Sequence, residues 1–153
     1  MLEKALHLAV EIHNGQKDLA GLPYILHPLR VMLKLDTELE MTIGILHDVV
    51  ENGGWPAIGL LSEANFPQPV YEGLKLLTRD KPMDYEAYID QVMTSTISMK
   101  IKLADLEDNT DPERIAALIE QGMDPDLVWA RLHKYKAAMA RIRTALSQRK
   151  PVV

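Results

Sequence analysis

The sequence predicts an all-α protein, a single bundle of about eight or nine helices, and three observations support this prediction. Apolar residues recur at helical spacing through nearly every segment of the chain. Strand-like alternation of apolar and polar residues is absent, and the β-branched residues are scattered. Proline and glycine mark helix starts and ends. The length of 153 residues fits one domain over residues 1–153.

Turn residues divide the first half of the chain into helices. Gly15 follows the end of the first helix, and Pro28 is tolerated in the first turn of the second. The Asn-Gly-Gly run at 52–54 ends the third helix, so His47 and Asp48 are expected in its interior. The predicted helices of this half span about 2–13, 27–35 and 37–51.

Prolines and capping residues divide the second half. Pro56 and Pro67 each open a short helix, with residues 62–68 as the connection between them. Asp84 can cap the next helix. A long C-terminal helix is expected over about 124–148. The other predicted helices of this half span about 84–93, 97–109 and 112–121.

The composition is that of an ordinary globular protein, and it excludes several function classes. The chain is 47% apolar and 25% charged, and it contains no apolar run long enough for a membrane span. Its amphipathic N-terminus, broken by charges, does not match a signal peptide. The absence of cysteine excludes a thiolate metal site and a cysteine nucleophile. With a net charge of −5, we expect a cytoplasmic protein with no membrane or nucleic-acid partner.

A histidine followed by an aspartate inside an apolar helix is the sharpest local signal. Aspartate disfavours helix interiors and an unpaired buried carboxylate is costly, so packing alone explains His47-Asp48 poorly. A divalent cation would supply positive charge and use the imidazole lone pair. Glu51 shares this helix face, because it lies three and four residues further on. The alternative for the dipeptide alone is a bond from His47 to a carbonyl, with Asp48 in an ion pair.

His27 and Asp105 extend this signal. His27 alone is also typical of a helix start, and Asp105 alone fits a salt bridge to Lys102. Together, two histidines and two aspartates form a nitrogen-oxygen donor set suited to Mn²⁺, Fe²⁺, Zn²⁺ or Mg²⁺. Such a set leaves coordination positions for water and a phosphate oxygen, as metal-assisted hydrolysis requires.

Four ordered motifs between His13 and Asn109 resemble those of HD-domain phosphohydrolases. They are H-x-G-Q at 13–16, G-x-P-Y-I-x-H-P at 21–28, L-H-D-x-V-E at 46–51 and K-L-A-D-x-x-x-N at 102–109. Their order and spacing look most like the hydrolase domain of RelA/SpoT proteins and their small stand-alone relatives. The resemblance implies an HD-domain helical bundle around a metal site. It also implies an enzyme that removes the 3′-pyrophosphate from guanosine alarmones, (p)ppGpp, usually with Mn²⁺.

The resemblance also implies roles for individual residues. The metal ligands of the family fall on His27, His47, Asp48 and Asp105. The pair that positions or activates the attacking water falls on Glu51 and Asn52. The residues that we expect to contact the substrate are Lys17, Tyr24, Lys102 and Asn109. Core packing is the alternative for Tyr24, and Lys100, about 200° from Lys102 around the helix, is expected to be solvated.

Three departures from the family pattern bear on activity and substrate. Asn52 replaces an aspartate, so it can orient a water molecule but cannot accept its proton. The loop at 17–20 lacks the arginine that packs on guanine in long relatives, and Lys17 offers only a point charge. A Thr-Asp-Pro run at 110–112 replaces the usual segment near the nucleoside. These changes keep the metal centre and weaken the case for a guanosine alarmone.

Three function classes therefore remain. The favoured one is a metal-dependent nucleotide (pyro)phosphohydrolase with one divalent ion, Mn²⁺ first among the candidates, and a small nucleotide as substrate. The second is a catalytically weak or inactive nucleotide-binding module on the same scaffold. The third is a helical interaction protein whose histidine-aspartate residues are structural remnants.

Overall fold

The computed structural model describes residues 1–149, and this part of the chain folds into nine helices without a strand. The predicted all-α class is thereby confirmed. Residues 150–153, the end of the predicted domain, lie outside the described part. The helices are α1 (Leu2–Ile12), α2 (Leu26–Met32), α3 (Glu38–Leu46), α4 (Val49–Ala64), α5 (Gln68–Leu77), α6 (Tyr85–Val92), α7 (Thr96–Asn109), α8 (Pro112–Glu120) and α9 (Pro125–Gln148).

Helix α3 forms the centre of the bundle and packs against α1, α2, α5 and α7. Its residues Ile43, Ile45 and Leu46 are almost completely buried. The close approach of α5 depends on Gly73, where a Cβ atom would lie 2.7 Å from Cδ1 of Ile43. Because α3 ends inside the molecule, His47, which follows it, is buried, and the next residue, Asp48, is partly buried.

Helix α7 crosses the same core and packs against both α2 and α9. Met99, Ile101 and Leu106 fill the core, while the carboxylates of Asp105 and Asp108 are also buried. These two aspartates are three residues apart and therefore share one side of the helix. That side carries negative charge toward α2.

Helices α8 and α9 add a smaller apolar cluster beside the main core. Its buried members are Ile115, Val128 and Leu132. Asp111 and Asp124 cap the two helices, and a proline follows each cap at the first helical position. The long C-terminal helix predicted over 124–148 is thus present as α9.

The helix predicted over 37–51 is wrong in its interior, because the chain breaks at His47 and Asp48. Helix α3 ends at Leu46 and α4 begins at Val49. Asp48 occupies the position before α4 with φ −101° and ψ −2°. Aspartate is tolerated better at such a boundary than inside a helix. The break leaves its carboxylate to face His47 instead of a helix surface.

The sequence predicts a helix end at 52–54, but the structure has a kink there inside the longer helix α4. Gly54 has φ +59° and ψ −149°, a backbone conformation that favours glycine, and it separates two helical segments within α4. Pro56 lies in the first turn of the second segment, as predicted. This segment continues to Ala64, so the connection to α5 is shorter than the predicted 62–68.

None of the helices within residues 1–149 combines the length and the apolar character needed to cross a bilayer.

Candidate metal centre and adjoining cleft

The four residues predicted as metal ligands meet at the floor of one cleft. His27 lies in the first turn of α2, His47 and Asp48 lie at the break between α3 and α4, and Asp105 lies on α7. His27, His47 and Asp105 are only 3–4% exposed, whereas Asp48 is partly exposed. Packing of α2 and α7 around α3 therefore brings together side chains that are far apart in the sequence.

Ligand atoms of His27, His47 and Asp48 all lie within 4.8 Å of one another, and Oδ1 of Asp105 lies beside both imidazole rings. Nε2 of His27 lies 3.1 Å from Oδ1 of Asp105 and 3.6 Å from Oδ2 of Asp48. Nε2 of His47 lies 3.3 Å from Oδ2 of Asp48 and 3.7 Å from Oδ1 of Asp105. Atoms bound to one ion at about 2.1 Å lie about 3.0–3.4 Å apart at octahedral or tetrahedral angles. The observed spacing therefore fits a small divalent cation.

Hydrogen bonds at the far side of each ring leave both Nε2 atoms as acceptors. Nδ1 of His47 lies 2.7 Å from the carbonyl oxygen of Gly44, to which it can only donate. Nδ1 of His27 likewise donates to Oδ2 of Asp108, 2.6 Å away. Neutral rings then direct their Nε2 lone pairs at carboxylate oxygens. Nε2 of His47 is buried and has no hydrogen-bond partner within residues 1–149. A cation would satisfy these acceptors together, so the donor set fits a metal ion.

Without a bound cation, the same concentration of negative charge favours a proton on the imidazole of His47. Burial lowers the pKa of His47, but the carboxylates of Asp48 and Asp105 raise it well above its usual value. Burial raises the pKa of Asp48, but the charge of the protonated His47 holds that pKa well below its usual range. The floor of the cleft therefore favours a positive charge at this point.

Two of the predicted substrate contacts, Lys102 and Asn109, instead hold Asp105. Nζ of Lys102 donates to Oδ2 of Asp105 at 2.8 Å, and Nδ2 of Asn109 donates to Oδ1 at 2.6 Å. Both residues still line the cleft. Lys100 points elsewhere, as the helical spacing predicts, but it is not simply solvated, because it donates to Glu40.

Asp108 is a functional candidate whose role the sequence did not reveal. Besides His27, it accepts hydrogen bonds from Nε and Nη2 of Arg30, at 2.6 and 3.1 Å, and from Arg114. Burial raises the pKa of Asp108, but these donors hold it far below its usual value. The three-residue spacings from Asp105 to Asp108 and from His27 to Arg30 are the signals that could have indicated it.

Glu51 and Asn52 lie in the first turn of α4, at the edge of the metal centre. Both are exposed and line the cleft. Oε1 of Glu51 accepts a hydrogen bond of 2.9 Å from the backbone N–H of Arg79. The side chain of Glu51 is therefore anchored at the cleft while its second oxygen is left free by this bond.

Tyr24 and Lys17 belong to the loop between α1 and α2. The hydroxyl of Tyr24 donates to Oδ2 of Asp48, and its ring lies 4.9 Å from that of His13. Tyr24 thus contacts a proposed ligand and does not pack in the core. His13 in turn bonds Gln16 at 2.9 Å, tying α1 to the loop. Lys17 is exposed at the cleft.

The cleft has a volume of about 700 Å³ and two unlike sides. Its floor is the histidine-aspartate group. One wall comes from the smaller apolar cluster, through Ile115, Val128 and Leu132, with Leu118 and Tyr135 beside them. Cationic side chains at the cleft include Lys17, Arg114 and Arg131. The arrangement accommodates a ligand with anionic and apolar parts.

Comparison with solved structures identifies a similar fold. The chain is similar to a structure described as a metazoan ortholog of SpoT that hydrolyzes ppGpp and plays a role in starvation responses. The two share 20% sequence identity with a TM-score of 0.64, over 96% of this chain and 92% of the other. This likeness confirms the helical fold that the motifs implied.

Shorter segments resemble curated proteins. A 55-residue segment is 42% identical to the putative GTP diphosphokinase RSH1, chloroplastic, of Arabidopsis thaliana, covering 33% of this chain and 6% of that protein. A 53-residue segment is 45% identical to the guanosine-3′,5′-bis(diphosphate) 3′-pyrophosphohydrolase of Borreliella burgdorferi, covering 32% of this chain and 8% of that protein. The chain thus spans only a small part of these relatives. No protein-family model matches it.

Proposed function

We propose that this protein is a metal-dependent phosphohydrolase that removes the 3′-pyrophosphate from guanosine 3′,5′-bis(diphosphate), ppGpp. The observation that carries the proposal is the convergence of two imidazole and two carboxylate groups at the floor of a cleft of about 700 Å³. The fold shared with a ppGpp-hydrolysing SpoT ortholog and the segment shared with a 3′-pyrophosphohydrolase support the substrate class.

In this proposal His27, His47, Asp48 and Asp105 hold one divalent ion. Mn²⁺ is the first candidate, and Fe²⁺, Zn²⁺ and Mg²⁺ are alternatives for the same donor atoms. An ion held by these residues would supply polarisation of the scissile phosphate and a water molecule of lowered pKa. Lys102 and Asn109 keep Asp105 in place, and Tyr24 does the same for Asp48.

Glu51 is the residue that we propose as the proton acceptor. The backbone N–H of Arg79 fixes its Oε1, so Oε2 accepts the proton of the attacking water. Asn52 next to it orients that water by a hydrogen bond but cannot take the proton. Lys17 and Arg131 place positive charge at the cleft for the phosphates of the substrate.

We further propose that residues 1–153 form a single cytoplasmic domain that acts on a small nucleotide. The absence of cysteine supports a reducing compartment. The net charge of −5 speaks against a nucleic-acid or anionic membrane partner.

The test is a hydrolysis assay with metal-stripped protein, Mn²⁺ and ppGpp. We expect release of pyrophosphate that depends on Mn²⁺ and falls by at least about a thousandfold in His47→Ala. His133→Ala is the matched control, because His133 is an exposed histidine on α9, and it should retain full activity. Activity in His47→Ala equal to that of the wild type would contradict the proposal.

A binding module on the same scaffold is the alternative, and Asn52 at the cleft is the observation that favours it. This alternative predicts that the wild type binds ppGpp and Mn²⁺ without turnover. Asn52→Asp should then switch on hydrolysis, because the new carboxylate can accept a proton. Turnover already present in the wild type would exclude a module that only binds.

A further inference from the structure

The H-x-G-Q motif at 13–16 connects the end of α1 to the first turn of α4. Nε2 of Gln16 donates to the carbonyl oxygen of Ile12 at 3.0 Å and to that of Asn52 at 3.4 Å. Ile12 is the last residue of α1, and Asn52 lies in the first turn of α4. One amide group therefore bridges two helices that are distant in the sequence.

The carbonyl group of Asn52 needs a hydrogen-bond donor from outside its own helix. In an α-helix this oxygen accepts from the N–H of the residue four positions further on. That residue is Pro56, which has no N–H, and the kink at Gly54 also interrupts the helix. The last carbonyl groups of α1 likewise lack donors within that helix. The amide of Gln16 supplies a donor to both helices.

His13 determines the orientation of this amide. Nδ1 of His13 lies 2.9 Å from Oε1 of Gln16, which can only accept, so Nδ1 carries the proton. Burial lowers the pKa of His13, so its ring is neutral at pH 7 and Nε2 is unprotonated. The reverse orientation of the amide would place Oε1 of Gln16 against two carbonyl oxygens. Its NH2 group is therefore directed at Ile12 and Asn52.

Close packing of the two backbones supports the same link. Helix α1 packs against α4, and a Cβ atom at Gly53 would lie 2.7 Å from Cγ2 of Ile12. A larger residue at position 53 would thus force the two helices apart. On its other side, the same turn is held by the backbone N–H of Arg79, which donates to Oε1 of Glu51. The turn that carries Glu51 and Asn52 is therefore held from two sides.

We infer that Gln16, oriented by His13, is a positioning residue, which holds the first turn of α4 so that Glu51 and Asn52 meet the attacking water. This inference rests on the proposed function. Although Gln16 lines the cleft, its side chain then affects the chemical step and not the binding of nucleotide or ion. The loop after α1 keeps its own backbone bonds, from the N–H of Gln16 to His13 and from the N–H of Tyr24 to Gln16. A change of the Gln16 side chain leaves these bonds in place.

The first test separates kcat from KM in Gln16→Met and Gln68→Met. Methionine keeps the length of the side chain but cannot donate a hydrogen bond. Gln68 is the matched control, because it is an exposed glutamine at the start of α5. In Gln16→Met we expect kcat for ppGpp to fall about 10- to 100-fold, because a misplaced proton acceptor slows the chemical step. KM and the Kd for Mn²⁺ should stay within about twofold of the wild type, and Gln68→Met should change none of the three values.

The role of His13 is tested with His13→Asn and His13→Leu. An asparagine amide can donate to Gln16 from about the position of Nδ1, whereas leucine cannot donate. We expect His13→Asn to keep most of kcat and His13→Leu to lose as much as Gln16→Met does. In the wild type, ¹⁵N NMR should show a protonated Nδ1 and an unprotonated Nε2 on His13. The opposite tautomer, or equal losses of kcat in both variants, would contradict the orientation of Gln16 by His13.

A measurement on metal-free protein separates the inference from the proposed hydrolase function. Amide hydrogen exchange, read by mass spectrometry, follows the backbone N–H groups of residues 51–53 without substrate. We expect exchange in this segment to be about tenfold faster in Gln16→Met and unchanged in Gln68→Met. If this pattern holds while the wild type hydrolyses no nucleotide, the link between α1 and α4 stands and the proposed function fails.

Two results would overturn the inference. The first is a kcat in Gln16→Met that is unchanged, or that falls by no more than KM rises. The second is an exchange rate of residues 51–53 that is the same in the wild type and in Gln16→Met, even when the wild type hydrolyses ppGpp.

Discussion

The floor of the cleft and its mouth differ in how their charges are balanced. At the floor, Lys102 and Asn109 hold Asp105, and Asp108 holds His27. At the mouth, burial and the charges of Arg79 and Arg131 lower the pKa of Lys134, and the wall belongs to the smaller apolar cluster. The floor thus pairs its charged groups with one another, whereas the mouth concentrates positive charge. In the proposed function, the floor would hold the ion and the mouth would contact the rest of the substrate.

The largest expected effect is at the floor, where Asp105→Asn should abolish stabilisation by metal. In the wild type, Mn²⁺ at a hundred times its Kd should add about 2.7 kcal/mol to the free energy of unfolding. For a domain of this size the melting temperature then rises by about 5–10 °C. An amide at position 105 carries no charge to balance the ion, so the rise should fall close to zero. Differential scanning fluorimetry with and without Mn²⁺ measures it.

Asp126→Asn is the matched control for this experiment. Asp126 is an exposed aspartate in the first turn of α9, so the same change of charge should leave the full effect of Mn²⁺ intact. An Asp105→Asn protein that Mn²⁺ stabilises as much as the wild type would show that Asp105 is not a ligand.

The second-largest effect on metal binding is expected at Asp108, which hydrogen-bonds the proposed ligand His27 but is not itself a proposed ligand. Asp108→Asn keeps the shape of the side chain but removes the charge that orients His27 and pairs with Arg30. Loss of such a partner typically weakens metal binding 10- to 100-fold, and we expect that loss here. Calorimetric titration with Mn²⁺ measures it. Glu107→Gln, at the neighbouring, more exposed position of α7, should bind as the wild type does, and an equal loss in both variants would refute the role of Asp108.

The floor could be predicted from the sequence more fully than the mouth. His27, His47 and Asp105 each lie in a short sequence motif, and the residues of that motif alone indicate a metal ligand. The break at residues 47–48 was missed, because apolar periodicity alone continues across it. The partners of Asp108 were also missed: Arg30 and Arg114 approach it from two other helices, and a lone carboxylate does not indicate its distant partners.

The mouth depends almost entirely on tertiary packing, and this explains why sequence patterns did not find it. No sequence motif links the segment after α5 to α9. The packing of α9 across α7 brings Lys134 to the ring of Tyr85, which Arg79 also contacts. Lys102 and Asn109, expected to contact the substrate, line the cleft and donate hydrogen bonds to Asp105.

A smaller effect is expected at the apolar wall, where Leu132→Ala should change substrate binding without changing metal binding. Leu132 is buried between α8 and α9 and lines the cleft. Its truncation should destabilise the fold by about 2–3 kcal/mol and raise KM for ppGpp several-fold. The Kd for Mn²⁺ should stay unchanged, because the floor is built on other helices.

Leu146→Ala is the control for the wall, since this leucine of α9 packs against the main core instead of the cleft. Leu146→Ala should lower the free energy of unfolding and leave KM for ppGpp unchanged. Weaker binding of Mn²⁺ in Leu132→Ala would show that the floor and the mouth of the cleft are coupled.

The smallest effect is expected beneath the floor, at the start of α3. The carboxylate of Glu40 is buried and accepts from Nζ of Lys100 at 2.8 Å and from the backbone N–H of Thr37 at 3.1 Å. Burial raises the pKa of Glu40, but these hydrogen bonds hold it below its usual value. The folded pKa is thus lower than the unfolded one. The ionised group therefore stabilises the fold above the unfolded pKa, and this stability is lost as the pH falls through the folded pKa.

Glu40→Gln should accordingly lower the free energy of unfolding at pH 7 by about 1 kcal/mol. The difference from the wild type should shrink as the pH falls below about 4.3, the usual pKa of a glutamate in an unfolded chain, and through the lower folded pKa. Urea unfolding at several pH values measures it, with Glu63→Gln, an exposed residue of α4, as a control without such a trend. A difference that is constant with pH would assign the effect to shape instead of charge. Glu40 and His47 lie at opposite ends of α3, so the Kd for Mn²⁺ should not change in Glu40→Gln. An unchanged Kd would indicate that the ion affinity of the floor depends on the hydrogen bonds at the floor and not on the stability of the bundle.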